Sequence, residues 1–226
     1  MRTHPLIFFR RHHTADAPVA PHQRGQSMVE FALVLPILLV LLLGLADFGR
    51  VFTAGIALEA AARNGAEAAA QQYVQMARNR PSGVLASADY EALHDIASGA
   101  VCSETRLLPE HAASGSTCTM PATAVCIHDA SGADPAGCGA GGSSAPGECT
   151  ALHGAWNAGN VGPPASGGRA ALAYVEVRTC YRFRTLVPLS GFDLPFGWGL
   201  DLGDVFLQRT RTFSVACYWT STGTCG

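Results

Sequence analysis

Residues 24–50 read RGQSMVEFALVLPILLVLLLGLADFGR. From Phe31 to Ala46 there are 16 residues without a formal charge, mostly Leu, Val and Ile. Met28 and Val29 extend the run in one direction and Phe48 in the other. A helix crossing a bilayer core needs about 20 predominantly apolar residues, with a lower limit near 17. The stretch is therefore long enough to span a membrane. Glu30 interrupts it one turn inside its N-terminal edge. A carboxylate within a membrane segment costs about 2.5–3.5 kcal/mol on insertion scales, less near the interface. A pure anchor has no reason to carry it; such a group ordinarily has a partner or a task.

The residues ahead of Glu30 suggest the task. A cut after Gly25 gives Gln26 a free α-amine and makes Glu30 the fifth residue of the mature chain. When such helices bundle, that amine and a neighbour's Glu30 carboxylate meet in a low-dielectric setting. Opposite charges there neutralise each other and fix the axial register between subunits. Glycine at position 25 leaves the backbone open to a peptidase, because it has no side chain to block approach.

Gly25-Gln26-Ser27-Met28-Val29-Glu30-Phe31, followed by an apolar helix, resembles the processing site of type IV prepilins: Gly, four residues, then Glu and an aromatic. The wider run resembles the TadE/TadG-like pseudopilins of tight-adherence (Flp) pilus systems. The matching pieces are Gly25-Gln26 to Glu30-Phe31-Ala32, Pro36, Asp47-Phe48-Gly49-Arg50 and Ala61-Ala62-Arg63-Asn64-Gly65-Ala66. The resemblance covers about 45 of the 226 residues. It implies cleavage between Gly25 and Gln26 by a prepilin peptidase, a membrane aspartic enzyme. It implies register set by Glu30 and Phe31. The implied partners are the bacterial inner membrane, other pilins and pseudopilins, and the Tad assembly platform. Gln26 departs from the Phe common at the first mature position of major pilins, which bears on N-methylation of the new terminus rather than on the cut.

Charge and cysteine placement give one topology by two routes. Residues 1–25 hold four Arg against a single acid, Asp16, and the remainder holds 11 Arg against 16 acids. The positive-inside rule puts the N-terminal end in the cytoplasm. All eight cysteines follow the apolar run: Cys102, Cys118, Cys126, Cys138, Cys149, Cys180, Cys217 and Cys225. An even number on one side of a membrane reads as disulfides in an oxidising compartment. The expectation is a single-pass protein, N-terminus in and C-terminus in the periplasm, with access to a cell-surface fibre. Connectivity is left open, except that Cys217 with Cys225 would close a small terminal loop.

Three segments follow: a cytoplasmic leader over 1–25, a transmembrane and extended helix over 26–80, and an extracytoplasmic cysteine-rich domain over 81–226. Asp47 and Arg50, three apart on one helix face, read as an ion pair where the helix meets the outer membrane surface. Residues 51–78 stay Ala-rich and helical in spacing, with Glu59 and Arg63 at i,i+4. Arg80-Pro81-Ser82-Gly83 ends the helix. A second helix is expected over 88–98, and residues 99–168 read as disulfide-pinned loop. Residues 170–185 alternate Val175, Val177, Tyr181 and Phe183 with Glu176, Arg178, Arg182 and Arg184, the pattern of a half-buried strand. Residues 204–219 read as its antiparallel neighbour. Arg178, Arg182, Arg184, Arg209 and Arg211 would form a basic, solvated sheet face. Phe192, Phe196 and Trp198 lie in the link, read as a loop folded back on its own sheet. The fold class expected is α+β: a long N-terminal helix, a disulfide-rich loop region and a small C-terminal antiparallel sheet.

Among catalytic signatures, G-x-S-x-G, H-E-x-x-H and a phosphate-cradling Gly motif are all missing. Cysteine gaps of 15, 7, 11 and 10 residues fit no zinc pairing. Net charge of -2 argues neither for nucleic acid nor for strongly acidic or basic partners, and no nucleic-acid partner is expected. No cofactor, metal or enzymatic activity is expected. The function expected is that of a minor pseudopilin in assembly of a Tad/Flp-type pilus for adhesion. The alternative is a signal-anchored, disulfide-rich periplasmic binding domain that never enters a fibre.

Overall fold

The computed structural model describes residues 26–80, 85–114, 117–129, 134–139, 145–156, 173–186, 192–193, 199–200 and 204–215. It is α+β, and the chain divides into two units, Met1–Gly44 and Leu45–Gly226. Helix α1 runs Gln26–Arg78, 53 residues, through Pro36. Its first part, to Gly44, makes up the described portion of the first unit. Mean hydropathy there reaches 2.7 and none of that window is buried.

The second unit is built on the rest of α1. Ala54, Leu58, Ala61, Ala62, Ala66, Ala69, Ala70, Tyr73 and Ala77 are buried, a stripe at three- and four-residue spacing. Against it lie α2 (Ser87–Glu104) and a three-stranded antiparallel sheet. Helix α2 starts at Ser87, where Asp89 caps it. The Asp89 carboxylate accepts the Ala86 amide at 2.8 Å and is held by Arg80 at 2.6 Å. The helix runs six residues past the expected Ser98, since Val101 and Cys102 are still buried on its packed face. Tyr90, Leu93, Ala97 and Val101 form that face and share one core with α1, Val125, Ile127, Val175, Val177 and Val215. Complete burial of a side chain such as Leu58 or Leu93 contributes about 1.5–3 kcal/mol.

The sheet order is β3 (Ala122–His128), β4 (Tyr174–Arg184), β7 (Asp204–Ser214). Strands β4 and β7 are antiparallel neighbours as expected, but β4 is the central strand. Its other partner, β3, falls inside the stretch expected to be loop. Ala122-Thr123-Ala124-Val125-Cys126-Ile127-His128 is buried at every position. A strand covered on both faces loses the polar alternation that marks strands in a sequence. Two short hairpins complete the sheets: β1 (Ala112–Ser114) with β2 (Thr117–Met120), and β5 (Phe192–Asp193) with β6 (Gly199–Leu200). Helix α3 (Thr150–His153) is a single turn.

Register settles which residues share a face. Val175, Val177, Thr179, Tyr181 and Phe183 point toward α1, and Leu207, Arg209, Arg211 and Phe213 stand opposite them on β7. Tyr174, Glu176, Arg178, Cys180, Arg182 and Arg184 occupy the other face. The five arginines expected to form one basic face are therefore split between two. That other face is not solvated along its length either: Glu176, Arg178 and Cys180 are buried. The segment 145–156 covers it, attached by a disulfide between Cys149 and Cys180. Two further disulfides join Cys102 to Cys118 and Cys126 to Cys138. Cys217, Cys225, Phe196 and Trp198 lie outside the described residues, as do the side chains of the β5–β6 hairpin.

At Gly65 the two helices touch. A Cβ there would sit 2.9 Å from the Ala97 carbonyl oxygen and 2.9 Å from Val101 Cγ2. The carbonyl is backbone and cannot turn aside. Gly65→Val is expected to lower unfolding stability by about 1–3 kcal/mol, the usual cost of overpacking a tight core. Thermal unfolding of the full chain in detergent, followed by near-ultraviolet circular dichroism, measures it.

Candidate functional site

Helix α1 is described from Gln26, the residue that follows the expected cut; residues 1–25, Gly25 among them, lie outside the described residues. Glu30 and Phe31 sit in its first turns, on backbone that is helical throughout. Phe31, Leu33, Leu41 and Leu45 are each at least 65 % exposed, as are most of their apolar neighbours. Apolar surface of this extent is stable only in lipid or against other apolar helices. It makes α1 a single-pass membrane anchor.

Where the apolar run ends, Asp47 and Arg50 form the expected pair at 2.9 Å. The structure adds partners that spacing alone does not reveal. The Leu186 amide donates to both Asp47 oxygens, at 3.1 and 3.0 Å. The Arg50 guanidinium lies 5.1 Å over the Phe183 ring. Both contacts come from the end of β4, so the pair ties the helix to the sheet as well as to itself. About two and a half turns farther along, Glu59 reaches β7, 3.4 Å from Arg209 and in contact with Arg211.

The second unit also buries charge. On the far face of the sheet, Glu176 accepts from Arg178 at 2.7 Å and faces His128 Nε2 at 3.2 Å. The His128 ring stacks on Tyr174 at 4.2 Å. Arg178 donates onward to the carbonyls of Ala151, Gly154 and Ala155 and lies 3.8 Å over the Trp156 ring. Burial pushes the Glu176 carboxyl up, but the hydrogen bonds from His128 and Arg178 outweigh it and hold the pKa below the usual range. A His–Glu pair can relay protons, yet these two side chains are 3 % and 4 % exposed. Through Arg178 the network fastens the 145–156 segment.

Asp134 is a second such group. Its carboxylate accepts the Ile127 and Ala136 amides at 2.8 and 3.0 Å and faces His94 Nε2 at 2.8 Å. Burial raises its pKa, and the His94 and backbone hydrogen bonds lower it further than burial raises it. Asp129 accepts the hydroxyls of Tyr73 and Tyr90 at 2.9 and 2.6 Å, joining α1, α2 and the end of β3. Sequence reading missed these carboxylates, because single acids in a loop or strand carry no mark of burial. His111 lies 3.0 Å from Cys118 Sγ, and Asp134 lies beside Cys126 and Cys138. With the sulfurs bonded to each other, neither group offers thiolates to a metal.

Residues 25–67 match the family model of TadE-like proteins. No curated protein and no solved structure matches the chain. The matched segment takes in the head of α1, the Asp47–Arg50 pair and the Ala-rich stripe up to Glu67, and leaves out both buried charge networks.

Two outcomes are expected from this geometry. Peptide mapping without reduction is expected to link Cys102 to Cys118, Cys126 to Cys138 and Cys149 to Cys180. The second concerns acid. Asp134 and Glu176 both have folded pKa values below their unfolded ones, so the unfolded state takes up protons first as pH falls. Their stabilisation is complete above about pH 5 and disappears as pH drops through the folded values. Asp134→Asn is expected to cost about 1–3 kcal/mol at neutral pH, by weakening buried hydrogen bonds. It is also expected to flatten the loss of stability below about pH 5. Denaturant midpoints across that pH range check both.

Proposed function

We propose, from the TadE-like segment at residues 25–67, that this chain is a minor pseudopilin taking part in assembly of a Tad/Flp-type adhesive pilus. The observation that carries the reading is the head of α1. The residues that follow Gly25 in the Gly25–Phe31 motif are helical from Gln26 onward and present exposed apolar surface containing one carboxylate. The chain waits in the bacterial inner membrane with its N-terminus in the cytoplasm. The basic leader and the disulfides of the second unit support that orientation. A prepilin peptidase removes residues 1–25. The freed Gln26 amine and the Glu30 carboxylate of a neighbouring pilin or pseudopilin then set the register, with Phe31 packing beside them. The hydrolysis is done to this protein; its own role is structural, without cofactor or nucleic acid.

Intact mass of the protein, expressed with and without its peptidase, tests the reading. Loss of residues 1–25 only when the peptidase is present, leaving Gln26 as the N-terminus, is the expected result. A full-length mass in both cases overturns it in favour of a plain anchored binding domain. Glu30→Ala is expected to insert in the membrane as the wild type does and to abolish assembly. Normal fibres from that variant would remove the registry role while leaving the cleavage result standing.

A further inference from the structure

The second unit exposes apolar side chains that its own core does not use, and they gather along the first three turns of its part of α1. Leu107, in the turn after α2, is 95 % exposed, beside the exposed Arg106. Leu108 packs inward against the cluster of Leu58, Tyr181 and Phe183. Leu107, Leu108 and Pro109 form one wall of a groove whose other wall is Ala46, Gly49, Arg50 and Thr53. Around the helix, Phe48, Phe52 and Ile56 repeat every four residues and remain 69 %, 61 % and 54 % exposed. Leu186, whose amide is held by Asp47, is 53 % exposed.

We propose that this collar is a lipid-contact surface: it rests in the boundary layer of the bilayer, with Leu107 in the margin of the acyl chains and Arg106 at the lipid phosphates. Chain position carries the argument. The apolar run of α1 ends at Ala46, and Asp47 and Arg50 follow at once, so the bilayer surface falls at these residues. Leu107 lies across a groove from the same residues and therefore stands at that surface too. The composition fits this one occupant. A fully exposed leucine next to an arginine matches a boundary where apolar tails begin beneath a layer of phosphates. The charges on this part of α1 are already engaged. Asp47 is held by Arg50 and the Leu186 amide, which lets the collar sit low without burying a bare carboxylate. A water-facing domain gains nothing from so many exposed apolar groups gathered at one end.

The inference rests on α1 spanning the bilayer, and not on cleavage or fibre assembly. Tryptophan quenching in the full chain tests it. The protein is reconstituted in phosphatidylcholine vesicles with a minor share of phosphatidylglycerol, with or without bromine on the acyl chains near the headgroups. Leu107→Trp removes no packing contact of the core. Its added emission, over wild type, is expected to fall roughly by half in brominated vesicles, the response of a side chain a few ångströms into the boundary. Glu91→Trp, on the exposed face of α2 near its other end, is expected to show no such loss. Leu38→Trp reports on the anchor. Quenching at position 38 with none at position 107 overturns the collar alone. Absence of quenching at both positions overturns the anchor and the collar together. Unreduced peptide maps confirm that each variant keeps its disulfides.

Discussion

The outer part of α1 is pressed by a helix and by a sheet at once, and only small side chains fit between. Ala61, Ala62, Ala66 and Ala69 have no exposed surface, and at Gly65 even a methyl group would strike the α2 backbone. Each alanine contributes little burial by itself. The larger share of the core comes from what the close approach lets in: the Val and Ile side chains of β3 and β4 and the rings of Tyr73 and Tyr90. Those rings end in hydroxyls that need acceptors, and Asp129 supplies one carboxylate for both. The small-residue stripe therefore fixes the helix spacing, and through it the position of a buried polar junction.

The opposite face of the sheet solves a different problem. Arg178 and Glu176 lie on the central strand, where burial without partners would be costly. The 145–156 segment provides them. Its carbonyls accept from Arg178, Trp156 covers the guanidinium, and Gln208 holds the segment from β7 through the Ala151 amide and the Glu148 carbonyl. The segment is thereby kept on the sheet by hydrogen bonds, one covalent link and the packing of Leu152, Ala145 and Trp156 against Ala122 and Ala124. Gly139 belongs to this arrangement: its φ of +81° suits glycine, and Trp156 Nε1 would lie 2.9 Å from any Cβ placed there.

Legibility in the sequence followed the physical signal. The anchor and its continuation were readable because one unbroken apolar run and a regular alanine spacing leave little else for the chain to do. Residues 170–185 were readable as a strand because Val175, Val177, Tyr181 and Phe183 alternate with charge; 204–219 was read as its neighbour from the face shared by Phe213, Val215, Cys217 and Trp219, and the described strands run Tyr174–Arg184 and Asp204–Ser214. The same alternation misled on solvent exposure, since it cannot tell a face in water from one covered by a strap. Strand β3 was hidden for the converse reason: Ala, Val, Cys and Ile are buried on both sides and leave no period. The Asp47–Arg50 pair follows from a spacing of three, but its second partner, the Leu186 amide, is 139 positions away. Leu107 could not be singled out, because a leucine in a turn looks the same whether it points inward or outward.

The three disulfides among the described residues close loops of 16, 12 and 31 residues, and all lie in the part of the chain that follows α1. Helix α1 contains no cysteine. Its hold on the sheet is by alanine packing, the Asp47–Arg50–Leu186 knot and the contacts of Glu59 with Arg209 and Arg211, all of them noncovalent. Tension applied along the helix axis would thus load a seam that can open and close again, while the crosslinked body behind it keeps its internal connections. The cysteines crosslink the body, while the helix is joined to it by packing and charge alone.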